Sequence, residues 1–163
     1  MTANTREEHL YMAKITEQTE RYEDMLEAMN KVVTANADLT VEERNLLSVA
    51  YKNTIGSRRT AWRILTSIEK KEEAKGGSKN IPLLKGYQDK IKGELNRYCG
   101  EIVSLIDSQL LPKASNSEAQ VFYHKMKGDY FRYISEFTSG EENKKAGDNA
   151  QNAYAAATEL AEK

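Results

Sequence analysis

Cysteine is almost missing from this chain: Cys99 stands alone among 163 residues. A lone cysteine excludes an intrachain disulfide, a CxxC redox pair and a multi-cysteine zinc site, and it fits a reducing compartment. Proline is nearly as scarce, with only Pro82 and Pro112 to force a helix to stop. No apolar run approaches the ~18 residues of a membrane span, and the opening MTANTREEHLYMAK has no apolar core of signal-peptide length. A cytoplasmic protein is expected. Charge excess is missing too: 24 Lys and Arg against 25 Asp and Glu leave a formal net charge of −1. Nucleic-acid or anionic-membrane binding would call for a basic surplus over the whole domain, so neither is expected and any basic function must be local. Catalytic constellations are equally sparse. His9 and His124 lie far apart, neither belongs to an HExxH arrangement, and no glycine-rich phosphate loop follows a strand. No enzyme activity, metal or cofactor is expected.

What is present is helical. A Ser or Thr followed three positions later by Glu can satisfy two orphan N–H groups reciprocally, and this pattern occurs at Thr5/Glu8, Thr40/Glu43, Ser115/Glu118 and Ser139/Glu142. Stops are written as NADLT, KGGSKNIP, LLPKASNS and TSG. The spacing predicts helices over 6–20, 22–35, 41–73, 82–110, 117–137 and 141–162, with the third and fourth closed into an antiparallel hairpin by Gly76-Gly77-Ser78. Nothing alternates with the period of a strand. The fold class is all-α in one domain.

The stretch NLLSVAYKNTIGSRRTAWRIL, residues 45–65, carries Lys52, Arg58, Arg59 and Arg63 with no acidic residue among them. At ~100° per residue, Lys52 and Arg59 fall within ~20° of each other and Arg63 ~40° further on, with Gly56 between them on the same stripe and Arg58 pointing elsewhere. The segment VFYHKMKGDYFRYISEF repeats the device: Lys125 and Arg132 are also seven apart, and Tyr133 adds a hydroxyl near that face. If the stripes converge, the like charges are unfavourable together until a dianion relieves them. A phosphoserine or phosphothreonine brings about −1.5 to −2 charges and three acceptor oxygens, and Arg can hold a phosphate through two parallel bonds. A plainer reading stands beside this one: Asp129 can pair with Lys125 or Arg132 along its own helix, and both stripes are then solvated faces. Trp62, Tyr51, Phe122, Phe131, Met25 and Met29 sit on apolar stripes and read as core.

Taken together, RNLLSVAYKN at 44–53, Arg58-Arg59 followed by Trp62-Arg63, VFYHKMKGDYFRY at 121–133, AKITEQTERYEDM and LLPKAS closely resemble the 14-3-3 family over nearly the whole chain. The resemblance implies a cup-shaped, all-helical, cytoplasmic dimer that binds phosphoserine or phosphothreonine in partner proteins. It implies phosphate ligands at Lys52, Arg59, Arg132 and Tyr133, with Arg63 and Lys125 nearby. On this reading the basic residues await a phosphate.

The resemblance also implies a seam for a homodimer, or a pairing with a related isoform. Its residues are Ile15, Thr19, Ala61, Leu65, Ile68 and Tyr87, with charge pairs of the type Arg21 to Glu94 and Asp24 to Lys90. Residues 1–110 would hold this dimerisation region and the first basic stripe, and 117–163 the second stripe and the following helix. Thr16 and Thr19 stand where the family usually has alanine, and Ala61 replaces a serine that is phosphorylated in some members. The family has nine helices, whereas Lys163 falls where the sixth ends, so the expectation is a shortened form carrying the basic half of the groove. The alternative function is a structural dimerisation fragment without useful phosphopeptide affinity.

Overall fold

The computed structural model describes residues 5–77 and 79–162, and these hold six long helices and no strand. They are α1 (Arg6–Gln18), α2 (Tyr22–Ala35), α3 (Val41–Ala74), α4 (Ile81–Leu105), α5 (Ser117–Glu136) and α6 (Gly140–Ala161). Successive helices pack against one another, and α3 also touches α5. None of the described helices is long and apolar enough to cross a membrane.

The local signals explain most boundaries. Thr5 and Thr40 form complete capping boxes with Glu8 and Glu43. The α1–α2 reversal is tight because Glu20 adopts φ 57° while the Arg21 N–H donates to the Thr16 carbonyl at 2.8 Å. Gly76 and Gly77, at φ 90° and 86°, turn the chain after α3, and Ser78 of the expected closing tripeptide lies outside the described residues.

Two expected boxes do not form. The Asn116 side chain takes the α5 cap, its Oδ1 accepting from the Ala119 N–H at 2.8 Å, and Glu118 turns to Arg44 at 3.4 Å. Ser139 is the N-cap of α6 but makes no side-chain cap bond, and the Asn143 amide instead donates to the Ser135 carbonyl at 2.6 Å. The fourth helix is also not uniformly α. It widens into a π-helical turn at Ile106–Leu110 before a last turn at Leu111–Lys113. The widening lies just ahead of Pro112, whose ring would crowd the carbonyl four residues back in a regular helix.

The core runs between the helices as Met25, Met29, Val32, Leu47, Tyr51, Ile55, Leu95, Ile102, Ile106, Leu110, Tyr123 and Tyr130, all buried. Trp62 and Phe122 pack at its edge, and Phe131 is half-buried. On α6 the buried stripe is Ala146, Ala150, Ala153 and Ala157, small side chains that let α5 approach closely. Gly128 of α5 uses that approach: the Tyr154 ring occupies the place where a Cβ would be. At the other end, Arg6 donates two bonds to Glu43, at 2.8 and 2.9 Å, and a third to the Asn36 carbonyl at 3.2 Å, tying α1 to the start of α3.

Candidate functional site

The long α3 and the carboxy-terminal half of α5 meet where Trp62 packs edge-on against Phe137, ring centres 6.3 Å apart. Beneath them runs a line of tyrosines, Tyr51 to Tyr130 at 6.4 Å and Tyr130 to Tyr133 at 5.6 Å, each pair edge to face. This apolar floor fixes the facing side chains of the two helices. The Arg59 guanidinium stacks 3.9 Å from the centre of the Tyr133 ring, a cation–π contact that leaves its donors free to reach outward.

Those donors are taken by Glu136. Arg59 Nε donates to Oε1 at 2.8 Å and Nη2 to Oε2 at 2.7 Å, a two-bond fork. Arg63, one turn further along α3, approaches the same Oε2 at 3.7 Å. Arg132 lies 5.4 Å from the Tyr133 ring and 3.9 Å from Asp129 on its own helix. The Arg59 bonds hold the Glu136 carboxyl below the usual glutamate range, with the charges of Arg63 and Arg132 adding to the effect. Cys99 lies under this cluster, and burial pushes its thiol up to about 12.

Four of the six residues singled out for phosphate, Arg59, Arg63, Arg132 and Tyr133, are therefore gathered at one place. Lys52 and Lys125 are exposed on the same two helices and form no ion pair among the described residues. The Gly56 position between Lys52 and Arg59 opens onto empty space. The cations are not all unpaired, however. Arg59 is neutralised by Glu136, and Arg58 is clamped by Glu94 at 2.9 Å and by Glu23 while lying 5.0 Å from the Tyr98 ring. The acid that residues 45–65 lack comes from α2, α4 and α5. Glu136 is the member of the cluster that sequence reasoning did not single out. Its signal was its position four residues after Arg132, which puts both on one face of the helix.

The seam residues divide. Ile15, Ile68 and Tyr87 are exposed, together with Tyr11, Met12, Ile64 and Leu83. Leu65, 9% exposed, is buried in this chain's own core, and Ala61 packs against that core. Arg21 pairs with Asp24 at 2.7 Å, Glu94 with Arg58, and Lys90 sits 5.8 Å from the Tyr87 ring. The hydroxyls of Thr16 and Thr19 donate to carbonyls of the preceding turn, so neither is left unsatisfied.

A helical array in which α3 and α5 hold a glutamate carboxylate among arginines belongs to the all-α class. Comparison with known proteins narrows the class. The 14-3-3 protein family model matches residues 12–163, and the chain belongs to the 14-3-3 family. It is 54% identical over 159 residues to 14-3-3-like protein GF14 epsilon of Arabidopsis thaliana, a match covering 98% of this chain and 63% of that protein. The checkpoint signal transducer rad25 of Schizosaccharomyces pombe is 52% identical over 98% of this chain and 59% of its own length. For 14-3-3 protein 3 of Entamoeba histolytica the identity is 51%, over 97% of this chain and 66% of that protein. The chain thus spans roughly 60% of the length of these relatives.

Proposed function

We infer that this chain is a cytoplasmic adaptor of the 14-3-3 type that binds phosphoserine or phosphothreonine in partner proteins, as a homodimer or with a related isoform. It acts by contact and not by catalysis. The observation that carries this reading is the convergence of Arg59 and Arg63 on one carboxylate, with Arg132 and Tyr133 beside it. A group that accepts two parallel bonds from Arg59 marks where a phosphoryl group fits, and a phosphoryl dianion offers a third oxygen and a second charge to the neighbouring arginines. Family membership supports the same reading. Exposed Ile15, Ile68 and Tyr87 support self-association through α1 and the α3–α4 hairpin.

The deciding experiment is a calorimetric titration with a phosphoserine peptide and its unphosphorylated twin. Binding of the first alone, weakened at least about tenfold by Arg132→Ala, is the expected outcome, since a charge-assisted bond is worth roughly 1.5–3 kcal/mol. Equal binding of both peptides removes the phosphate reading. No binding of either favours a dimerisation fragment.

A further inference from the structure

Building on that reading, we propose that Glu136 is an internal ligand of the phosphate site: a resident carboxylate that fills the Nε–Nη2 edge of Arg59 and competes with an incoming anion for it. The Nε–Nη2 edge of the Arg59 guanidinium faces Glu136, and both of its in-plane donors are used, at 2.8 and 2.7 Å. Arg63 shares the same Oε2 at 3.7 Å. An anion that approaches the Nε–Nη2 edge of Arg59 therefore finds it occupied and meets a like charge there. Glu136 is able to leave: its side chain is 34% exposed, whereas that of Arg59 is 20% exposed and stacked on Tyr133. The more exposed partner is the acid and the more buried one is the base.

Displacement subtracts the Arg59–Glu136 interaction from the affinity of every ligand. A single carboxylate offers no more than Glu136 already supplies, and inorganic phosphate or sulfate, though it brings a second charge, adds no contacts of an attached chain, so such ions compete poorly with Glu136. A phosphorylated segment brings two charges together with contacts from its own chain, and it overcomes the competitor. Glu136 thus sets the threshold of occupancy. In the empty state it also keeps Arg59, Arg63 and Arg132 from repelling one another.

The test compares the parent chain, Glu136→Gln and Glu136→Asp. Thermal melts with and without sulfate at about 50 mM report whether the arginines have become available. Glu136→Gln should melt lower than the parent in low salt and regain the difference with sulfate, while Glu136→Asp, which keeps the charge, should follow the parent. Phosphoserine-peptide affinity should rise about five- to tenfold in Glu136→Gln. A fall in peptide affinity would show Glu136 to be a support for Arg59 and would overturn the proposal, as would sulfate shifts equal in all three proteins. If the parent fails to bind the phosphopeptide but Glu136→Gln alone responds to sulfate, the functional reading falls and the internal ligand stands.

Discussion

Arg59 and Glu136, 77 positions apart in sequence, form a two-bond ion pair that joins α3 to the end of α5. In this state the two in-plane donors Nε and Nη2 of Arg59 are occupied by the carboxylate, and the face of the guanidinium rests on Tyr133. A planar fork suits this arrangement and a point charge does not. Arg59→Lys should therefore lose phosphopeptide affinity almost as fully as Arg59→Ala, by about 1.5–3 kcal/mol in each case, with far-ultraviolet circular dichroism unchanged. Retention of affinity by the lysine variant would show that charge alone is read.

Acid should loosen the amino-terminal end. The bonds from Arg6 hold the Glu43 carboxyl below its ordinary value, and the Thr40 backbone bond adds to this. A carboxyl depressed in the folded state contributes stability that is complete above the unfolded value of ~4.3 and is lost as pH falls through the depressed value. Melting temperature should accordingly drop below about pH 4.5. Arg6→Ala should cost about 1–2 kcal/mol at neutral pH and flatten the acid dependence, which thermal melts across pH 3–7 on the order of one-unit steps would reveal.

Gly128 offers a test of packing against propensity. Replacing a mid-helix glycine by alanine gains roughly 1 kcal/mol of helix propensity, yet a Cβ here would stand 2.6 Å from Tyr154 Cε1 and 2.8 Å from Cδ1. The Tyr154 hydroxyl is anchored to Asp129 at 2.5 Å, so the ring cannot swing away without breaking that bond. Overpacking costs about 1–3 kcal/mol, and Gly128→Ala should be net destabilising in urea unfolding. Adding Tyr154→Ala should turn the same substitution favourable, and additive effects would rule out the contact as the cause.

The only thiol should be silent. Cys99 is fully buried, and its pKa is raised to about 12 by burial. Reaction with a thiol reagent at neutral pH should then follow global unfolding, accelerating only with denaturant. Prompt labelling of the native chain would contradict this burial.

The proposed dimer is expected to rest on the apolar patch. Exposed Ile15, Ile68 and Tyr87 predict a dimer whose dissociation is raised at least about tenfold by Tyr87→Glu. Salt should matter little, since exposed ion pairs give less than about 1 kcal/mol each, and Arg21, Asp24 and Glu94 already have partners within the chain. Sedimentation equilibrium is the measurement, and a strict monomer at tens of micromolar, on the order of the affinities of modest interfaces, would remove the seam.

The sequence determined what depends on neighbours along the chain. Periodic apolar residues, the Thr5/Glu8 and Thr40/Glu43 boxes and the Gly76-Gly77 turn define helices through contacts three or four positions apart, and two arginine stripes follow from the same periodicity. Competition between local options was less legible. Asn116 displaced Ser115 as the cap of α5, because either side chain can reach an N–H and only the tertiary path of the loop decides which does. What tertiary structure alone decided was the partner of each cation. Residues 45–65 contain no acid, and nothing within one helix could indicate that Glu23 and Glu94 would close on Arg58 or that Glu136 would occupy Arg59. Ion pairing depends on distance in space, and only the packing of α3 against α2, α4 and α5 brings those charges within reach.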